Sequence, residues 1–519
     1  MEKVATDIYT FSELRQFGFT YVDKTEQLWE MASGAAGKQF FIARPRRFGK
    51  SLAVSTFESL FEGRRELFEG LAIEPKWDWS RKWPVLHLDM GSVQGQTVDE
   101  FKEMLCVQLR FCARELGIAL NDSNLPSVLF FELITALAER SEDGRMVLLI
   151  DEYDKPLLGH LLKEDVTDFR DALKQFYSVI KTYERLQRFT FITGVSKFSK
   201  VSIFSDLNNL KDYTMHPKAA TLFGYTHEEI LKYFPNCIHA LGDANGLSFE
   251  QAYHEIIRWY DGYRFEESAP PMINPVSLGN CFDFNKIDNF WANTATPTFL
   301  VDMLRKHPLD FSTVKVDARQ LEAFEPDRPD VTTLLYQTGY LTIAGCENFD
   351  GIRLYRLDFP NREVRNSFLD FLVPAYTGTD ARTSGVAMFD AAKALLAHDV
   401  PAFLKNLKSF FRSIPYDLTD RQNEQTWQAI VYAVLTAIGM RGGAEVRTCD
   451  GRIDMTVETP SENYIVEFKL DRPAAEAIAQ IRGKEYAARF AASRKRLTLI
   501  GISFSSEKRT IVEELVEEA

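Results

Sequence analysis

Residues 38–61 read KQFFIARPRRFGKSLAVSTFESLF, and the fold of the N-terminal half turns on how this stretch is parsed. KQFFIA (38–43) has the aromatic and apolar content of a buried strand. Arg44-Pro45-Arg46-Arg47-Phe48-Gly49-Lys50-Ser51 follows as a tight loop, and LAVSTFESLF (52–61) has helical spacing. A strand, a tight loop and a helix N-terminus form a phosphate cradle, because main-chain N–H groups and the helix dipole meet there. Arg46, Arg47, Phe48, Gly49, Lys50 and Ser51 are the candidate nucleotide-binding residues. Gly49 lets the backbone approach a phosphate, Lys50 reaches the β/γ-phosphates, and Ser51 is a candidate Mg²⁺ ligand. The pattern G-x-x-x-x-G-K-[ST] has glycine where this chain has Arg44, and Pro45 lacks an N–H. Phosphate binding is therefore expected to lean on side-chain charge. Arg46 or Arg47 would compensate, by contacting phosphate or by bracing the loop against an acidic residue.

Outward from this loop, the apolar runs VLHLDM (85–90), MVLLID (146–151) and FTFITGV (189–195) alternate with helical patterns at 99–118 and 168–186. Continuous apolar strands separated by helices predict a parallel sheet covered on both faces. The acidic pair Asp151-Glu152 ends one of these runs, at the carboxyl edge where such sheets bind ligands. Asp151 is expected to hold the Mg²⁺ shell and Glu152 to orient or deprotonate the attacking water. Thr193 and Ser196, at the end of another run, are placed to sense a γ-phosphate.

The N-terminal half resembles the bacterial AAA-ATPase-like proteins that carry a C-terminal nuclease-like domain. The matching stretches are FGFTYVDKTEQL (17–28), ARPRRFGKSLAVST (43–56), VLHLDMG (85–91), VLLIDEYDKPL (147–157) and FITGVSKFSKVSIFSDLNNLKDYT (191–214). FGYTHEEI (223–230) and WYDGYRF (259–265) extend the match. The loop is also similar to the G-P-R-R-x-G-K-T loops of archaeal-type ATPases. The resemblance implies a site for ATP with Mg²⁺.

Beyond residue 215 the pattern turns helical, with Pro/Asn-rich interruptions at 268–277. Short helices and two β-runs, LYQTGYLTIAG (335–345) and IRLYRLDFP (352–360), suggest a winged-helix-like module. TGTDARTSGVA (377–387) reads as a linker, followed by helices to about residue 440. The expected domains are a P-loop domain (1–215), a helical lid-like region (216–300), a winged-helix-like module (301–376) and a C-terminal αβ domain (388–519). The fold class is α/β multidomain.

A second chemical cluster lies in the C-terminal part. GRIDMTVET (451–459) and NYIVEFKL (463–470) read as adjacent strands, with a helix through 473–492 and the strand LTLIGISF (497–504) after them. Strand period 2 puts Ile465, Glu467 and Lys469 on one face, and a turn brings Asp454 to that face. Two carboxylates and a backbone carbonyl suit Mg²⁺ or Mn²⁺. A lysine beside them equips the site for metal-assisted phosphodiester hydrolysis, on a face expected to be open to solvent. The arrangement resembles the PD-(D/E)xK nuclease core over about residues 420–505. That resemblance implies Asp454 and Glu467 as metal ligands, Lys469 as the catalytic lysine, and Glu424 and Gln480 as accessory residues.

Among its 519 residues the chain has 61 Lys+Arg against 74 Asp+Glu, a net charge of −13. That balance argues against coating nucleic acid through bulk charge and leaves room for a local basic groove. The six cysteines form no C-x-x-C pair, so reduced, buried or half-buried thiols are expected. No signal-peptide pattern or membrane-length apolar stretch is present, which predicts a cytoplasmic protein without a membrane partner. The sequence leaves open whether the chain forms a homo-oligomer. Its leading functional expectation is an ATP-binding protein whose nucleotide site gates or positions a nuclease acting on nucleic acid. The alternative is a nucleotide-binding scaffold or sensor whose nuclease-like domain binds without cutting.

Overall fold

Four of the five N-terminal strands coincide with the apolar runs. They are β1 (Gln39–Ala43), β2 (Val85–Asp89), β3 (Met146–Asp151) and β4 (Gln187–Gly194), joined by the two-residue β5 (Lys211–Asp212). In the computed structural model they form one sheet in the order β2-β3-β4-β1-β5, every pairing parallel. The structure describes residues 2–199, 209–291, 314–368, 390–412 (except 392), 441–448, 451–459, 461–484, 486–490, 495–508 and 510–519, and positions 203, 300 and 303. Every residue of β1 and β3 is buried, as continuous apolar runs in a helix-covered sheet require. The helix Lys50–Phe61 packs on β2, β3 and β4, and Pro126–Ala138 packs on β2 and β3. Because β4 lies between β1 and β3, their carboxyl ends meet at one edge. There Arg44 N donates to Gly194 O at 3.0 Å and Tyr153 N to Thr193 O at 3.1 Å.

The described residues fall into two compact units. The first runs through Phe290 and takes in Val316–Arg362; the second holds the remainder. Within the first, the helices His227–Tyr233, Pro235–Asn245, Phe249–Tyr260 and Pro275–Asp283 share one apolar core that includes Ile238, Leu241, Ile256 and Leu278. Capping boxes at Thr226 and Ser248 start two of these helices. A third small sheet contains β6 (Lys315–Asp317), β7 (Thr342–Phe349) and β8 (Ile352–Asp358), with β7 and β8 as an antiparallel hairpin after the helix Val331–Gln337. Leu335-Tyr336-Gln337, read from sequence as the start of a strand, belongs to that helix, so the strand begins at Thr342.

The second unit is a mixed sheet of β9 (Arg441–Thr448), β10 (Gly451–Glu458), β11 (Glu462–Leu470), β12 (Arg496–Ser505) and β13 (Thr510–Glu518), in the order β13-β12-β11-β10-β9. Only β11 and β12 run parallel. The helix Val400–Arg412 covers one face, against Val466, Phe468 and Ile502. On the other face the helix Ala474–Gly483 sets Ile478 and Ile481 beside Ile465 and Leu499. Two expectations are corrected here. The helix predicted through 473–492 ends at Gly483 and gives way to a 3-10 turn over Tyr486–Phe490. The Glu467/Lys469 face is not open to solvent: β11 is the central strand, and the two residues are 0% and 6% exposed.

Among the described residues, Cys106, Cys112, Cys237 and Cys281 are buried, while Cys346 is exposed. No described helix is long and apolar enough to cross a membrane. The linker expected at 377–387 and the position of Glu424 lie outside the described residues.

Candidate functional site

At the β1 edge, the loop from Arg44 to Gly49 is shaped by two left-handed residues, Arg47 (φ 67°) and Gly49 (φ 95°). A Cβ at Gly49 would meet nothing within 4 Å, so glycine answers the backbone conformation there and leaves open space over the loop. Lys50 is buried and donates its ammonium to Arg44 O and Pro45 O, each at 3.0 Å. Burial pushes its pKa down, against the pull of Asp151, Asp154 and Glu152. Burial raises the pKa of the Asp151 carboxylate, and the nearby Ser51 hydroxyl and Lys50 ammonium pull it down. Ser51 and Asp151 thus lie near one another at the phosphate loop. Their hard oxygens and the nearby ammonium fit a nucleotide carrying Mg²⁺.

Glu152 also sits at a left-handed position (φ 51°), and its Oε2 is 3.4 Å from Lys155 Nζ. A Cβ at Gly91 would lie 2.6 Å from Glu152 Oε2, so glycine at the end of β2 makes room for this carboxylate. Thr193 donates its hydroxyl to Ile42 O at 2.8 Å, inside the sheet. The Ser196 hydroxyl is fully buried and has no partner among the described residues. Phe48 turns its ring into an aromatic cluster with Tyr263 and Phe265, at 4.8 and 5.2 Å between centroids, leaving its main chain to the loop.

The residue that replaces the first glycine is embedded rather than aimed at the cradle. Arg44 is 1% exposed; Nη1 donates to Ala43 O (2.9 Å) and Thr214 O (2.5 Å), and Nη2 to Ala219 O (2.9 Å). Its guanidinium lies over the Phe265 ring at 4.3 Å, and burial lowers its pKa to about 10. The bracing expected of Arg46 or Arg47 against an acidic residue is not found. Both are half-buried without an ion pair to a described residue, and Arg46 O instead accepts from Asn274 Nδ2 at 3.4 Å.

In the second unit, β10 and β11 pair antiparallel, with Met455 opposite Val466, which sets Asp454 across from Glu467. Phe468 N donates to Asp454 Oδ2 at 2.8 Å, and Asp454 N to Glu467 Oε2 at 3.3 Å. Glu467 Oε1 receives both Lys469 Nζ, at 3.3 Å, and Gln480 Nε2 from the covering helix. Lys469 Nζ also donates to Phe468 O at 3.0 Å. Burial, then the Asp454 charge, push the Glu467 pKa up to about 7, with Lys469 pulling the other way. Among the described residues no three His, Cys, Asp or Glu side chains converge on one point. A divalent ion here would have two carboxylates and main-chain oxygen as donors, a set that fits Mg²⁺ or Mn²⁺ better than a soft metal.

Comparisons with known proteins match the segments that carry both clusters. The family model described as a predicted AAA-ATPase matches residues 5–204, and the one described as the PD-(D/E)XK nuclease superfamily matches residues 422–514. A protein of Azotobacter chroococcum mcd 1, named as an uncharacterized protein in the vnfD 5' region, is similar end to end. It is 35% identical over 532 residues, covering 99% of each chain. The chain belongs to the AAA-ATPase-like family with a C-terminal PD-(D/E)XK superfamily domain.

In this AAA-ATPase-like chain, the structure brings together Gly49, Lys50, Ser51, Asp151 and Glu152 at one sheet edge, and Asp454, Glu467, Lys469 and Gln480 between the second sheet and the helix Ala474–Gly483. It adds residues that the sequence reading passed over. Asp154, 1% exposed, accepts from Val195 N (3.2 Å) and Ser196 N (2.6 Å), pinning the end of β4 to the end of β3. Lys197 forms an ion pair with Asp212 of β5. The DEYDKP stretch and the charged residues after Gly194 were the available signals, but which acid meets which amide depends on strand order.

Proposed function

We propose that the chain binds ATP with Mg²⁺ at the Arg44–Ser51 loop, hydrolyses it, and uses that cycle to gate or position a C-terminal nuclease. The observation that carries the reading is the convergence of the Asp454 main-chain N–H, the Lys469 ammonium and the Gln480 amide on the buried carboxylate of Glu467. A charged cluster buried in a domain core costs stability unless a ligand completes it, which makes a purely structural role a poor account. Bound there, a divalent ion would polarise the scissile phosphate and lower the pKa of water. Asp454 and Glu467 would hold it, Lys469 would offset charge building on the phosphate, and Gln480 would orient Glu467. At the other centre Lys50 would meet the β/γ-phosphates, Ser51 and Asp151 would hold the ion, and Glu152 would take the proton from water. We place the protein in the cytoplasm, with nucleic acid as substrate.

The deciding experiment is cleavage of plasmid, single-stranded DNA and RNA by the purified chain in Mg²⁺ and Mn²⁺, with and without ATP. Asp454→Ala and Glu467→Ala should abolish cleavage, and Lys469→Ala should slow it by about two to three orders of magnitude. Cleavage surviving in all three variants would move the chemistry elsewhere. A second reading, a nucleotide-dependent scaffold that binds without cutting, draws on the burial of Glu467 under the helix Ala474–Gly483, which narrows access to a polymer. A parent chain that binds nucleic acid but cuts none of the three substrates would select it.

A further inference from the structure

The turn between β10 and β11 carries side chains that neither centre uses. Thr459 N donates to Glu462 O at 2.8 Å, and the Thr459 hydroxyl accepts from Glu462 N at 3.0 Å, which braces the turn. Ser461, exposed on it, sets its Oγ 2.8 Å from His398 Nε2. On the other side of the imidazole, Nδ1 lies 2.5 Å from Glu462 Oε2. A hydroxyl, an imidazole and a carboxylate thus stand in series, each within hydrogen-bond reach of the next. That is the arrangement that makes a serine nucleophilic.

The acid is the most firmly held of the three. The Glu462 side chain is 9% exposed against 42% for His398. Thr498 donates its hydroxyl to Glu462 Oε1, and the Tyr464 hydroxyl lies 3.2 Å from Oε2. Burial raises the Glu462 pKa, but the bonds from Thr498, Tyr464 and His398 outweigh it and hold the carboxyl below its ordinary value. An ionised carboxylate only accepts, so His398 donates Nδ1–H to it and leaves Nε2 to accept the Ser461 hydroxyl. His398 itself is left-handed (φ 60°), just after the helical turn 393–396, where Asp399 N reaches back to Ala394 O at 2.8 Å. Glycine is the usual residue at such a helix end, so the imidazole there answers to something other than the backbone. Lys495 Nζ donates to Thr459 O at 2.8 Å and brings a cation to the same turn. Among the described residues, Ser461 N has no acceptor.

We propose that Ser461, His398 and Glu462 form a hydrolytic site for small carboxylic esters, separate from the Asp454–Glu467 centre. The two use opposite faces of β11. Tyr464 and Val466 pack in the core under the helix Val400–Arg412, and Ile465 packs under Ala474–Gly483. Strand period 2 puts Glu462 with the first set and Glu467 with the second. Ser461 Oγ would bond to the carbonyl carbon of the ester while its proton passes to His398 Nε2. His398 gives that proton to the leaving oxygen as the C–O bond breaks, releasing an alcohol and leaving an acyl group on Ser461. Water then adds to the acyl carbon, its proton passes through His398 to Ser461 Oγ, and a carboxylic acid departs. One water is consumed for each ester cut. Ser461 N–H and the Lys495 ammonium are the donors at this turn for charge building on the carbonyl oxygen. Esters are favoured over amides because Ser461 and His398 are open to solvent, and expelling an amine asks for a more enclosed site.

The test uses the full-length chain, a fluorophosphonate probe mapped by peptide mass spectrometry, and p-nitrophenyl acetate, each in Mg²⁺ and in EDTA. The parent should be labelled at Ser461 faster than at any other serine and should release p-nitrophenol, equally in both buffers. Ser461→Ala should abolish both. His398→Asn, which tolerates the left-handed backbone, should slow both by about two to four orders of magnitude. Glu462 acts through His398 and is a positioning residue. Glu462→Gln keeps an oxygen for Thr498 and Tyr464, and it should slow labelling about a hundredfold while reaching the final stoichiometry of the parent. A merely structural role would lower that final stoichiometry and would overturn the role given to Glu462. The proposal as a whole is overturned if Ser461 of the parent labels no faster than its other serines, if His398→Asn labels at the rate of the parent, or if ester hydrolysis survives in Ser461→Ala or disappears in EDTA. None of these readouts depends on nucleic-acid cleavage, so this site and the nuclease reading stand or fall separately.

Discussion

Replacing Arg44 by glycine restores the G-x-x-x-x-G-K-S pattern, and it should damage the protein rather than improve it. The guanidinium makes three hydrogen bonds to main-chain carbonyls, two of them on the segment Thr214–Ala219, and lies over Phe265. Each bond from a charged donor contributes roughly 1.5–3 kcal/mol, and a desolvated cation–π contact about 2 kcal/mol. Against this stands the cost of burying the cation, several kcal/mol. Truncation does not recover that cost cleanly, because it strands Thr214 O, leaves Ala219 O with Leu222 N alone, and opens a void. The net loss should be about 3–5 kcal/mol, the range seen when one partner of a buried charged network is removed. At roughly 2 °C per kcal/mol for a unit of this size, the first unit's melting midpoint should fall by about 6–10 °C. Glycine adds about 0.5–1 kcal/mol over alanine through the entropy of the unfolded chain. Lysine should recover only part of the loss, since it cannot fork to carbonyls on both sides. Thermal unfolding of parent, Arg44→Gly, Arg44→Ala and Arg44→Lys, with Arg46→Ala and Arg47→Ala as half-exposed controls, reads this directly. The controls should move stability by no more than about 0.5 kcal/mol. If Arg44→Gly melts with the parent and binds ATP more tightly, the argument that Arg44 bolts the loop in place is wrong.

At the same loop, Lys50→Ala should lower ATP affinity, whereas Glu152→Gln should keep binding and lose turnover; equilibrium binding and phosphate release separate the two. Gly194→Ala should destabilise the first unit strongly, because the added Cβ would lie 2.3 Å from Asp154 Oδ1 and 2.6 Å from the Tyr153 ring; limited proteolysis would report it, and a parent-like digest would count against the packing argument. In the second unit, Glu467 has a folded pKa of about 7 against an ordinary 4.5. Between those values the folded state keeps a proton that the unfolded chain has released. Its stabilising contribution is thus present below about pH 4.5 and lost as the pH rises through about 7. The second unit should lose stability across that window, and Glu467→Gln should flatten the slope in pH-dependent urea unfolding.

The sequence shows where the sheet of the first unit runs because parallel strands buried on both faces must be mainly apolar, and the central runs of β1 to β4 are. It is silent about β5, a Lys-Asp dipeptide whose strand character comes from pairing with Phe40 and Phe41. In the second unit, β10, β11 and β12 are apolar enough to read. β9 opens with Arg-Gly-Gly, and β13 carries four glutamates, so neither matches a strand pattern. The candidate site divides along the same line. Its residue types are legible from local motifs, and its surroundings are not. Glu467 and Lys469 alternate as a solvated face would, and only the helix Ala474–Gly483 folding over them reverses that reading. Arg44 looks like a lost glycine because its partners at Thr214 and Ala219 lie 170 and 175 residues further along the chain.

The two centres solve one physical problem in the same way. Each needs a lysine beside oxyanions, yet a lysine buried without a partner would shed its proton or unfold its surroundings. Lys50 rests on the carbonyls of Arg44 and Pro45, and Lys469 on the carbonyl of Phe468 and the carboxylate of Glu467. In both cases the acceptors belong to the loop or strand that carries the lysine itself. A ligand phosphate would therefore exchange one set of acceptors for another and leave the fold in place, so little reorganisation stands against binding. The same arrangement separates the roles of the lysines from those of their neighbours. Removing Lys50 or Lys469 takes a donor from main-chain carbonyls of its own loop or strand, whereas removing Asp454 takes a carboxylate acceptor from Phe468 N. The lysine variants should accordingly stay folded and lose function, which makes their activity loss interpretable. Asp454→Asn, which keeps an acceptor for Phe468 N, is the carboxylate variant with the same property.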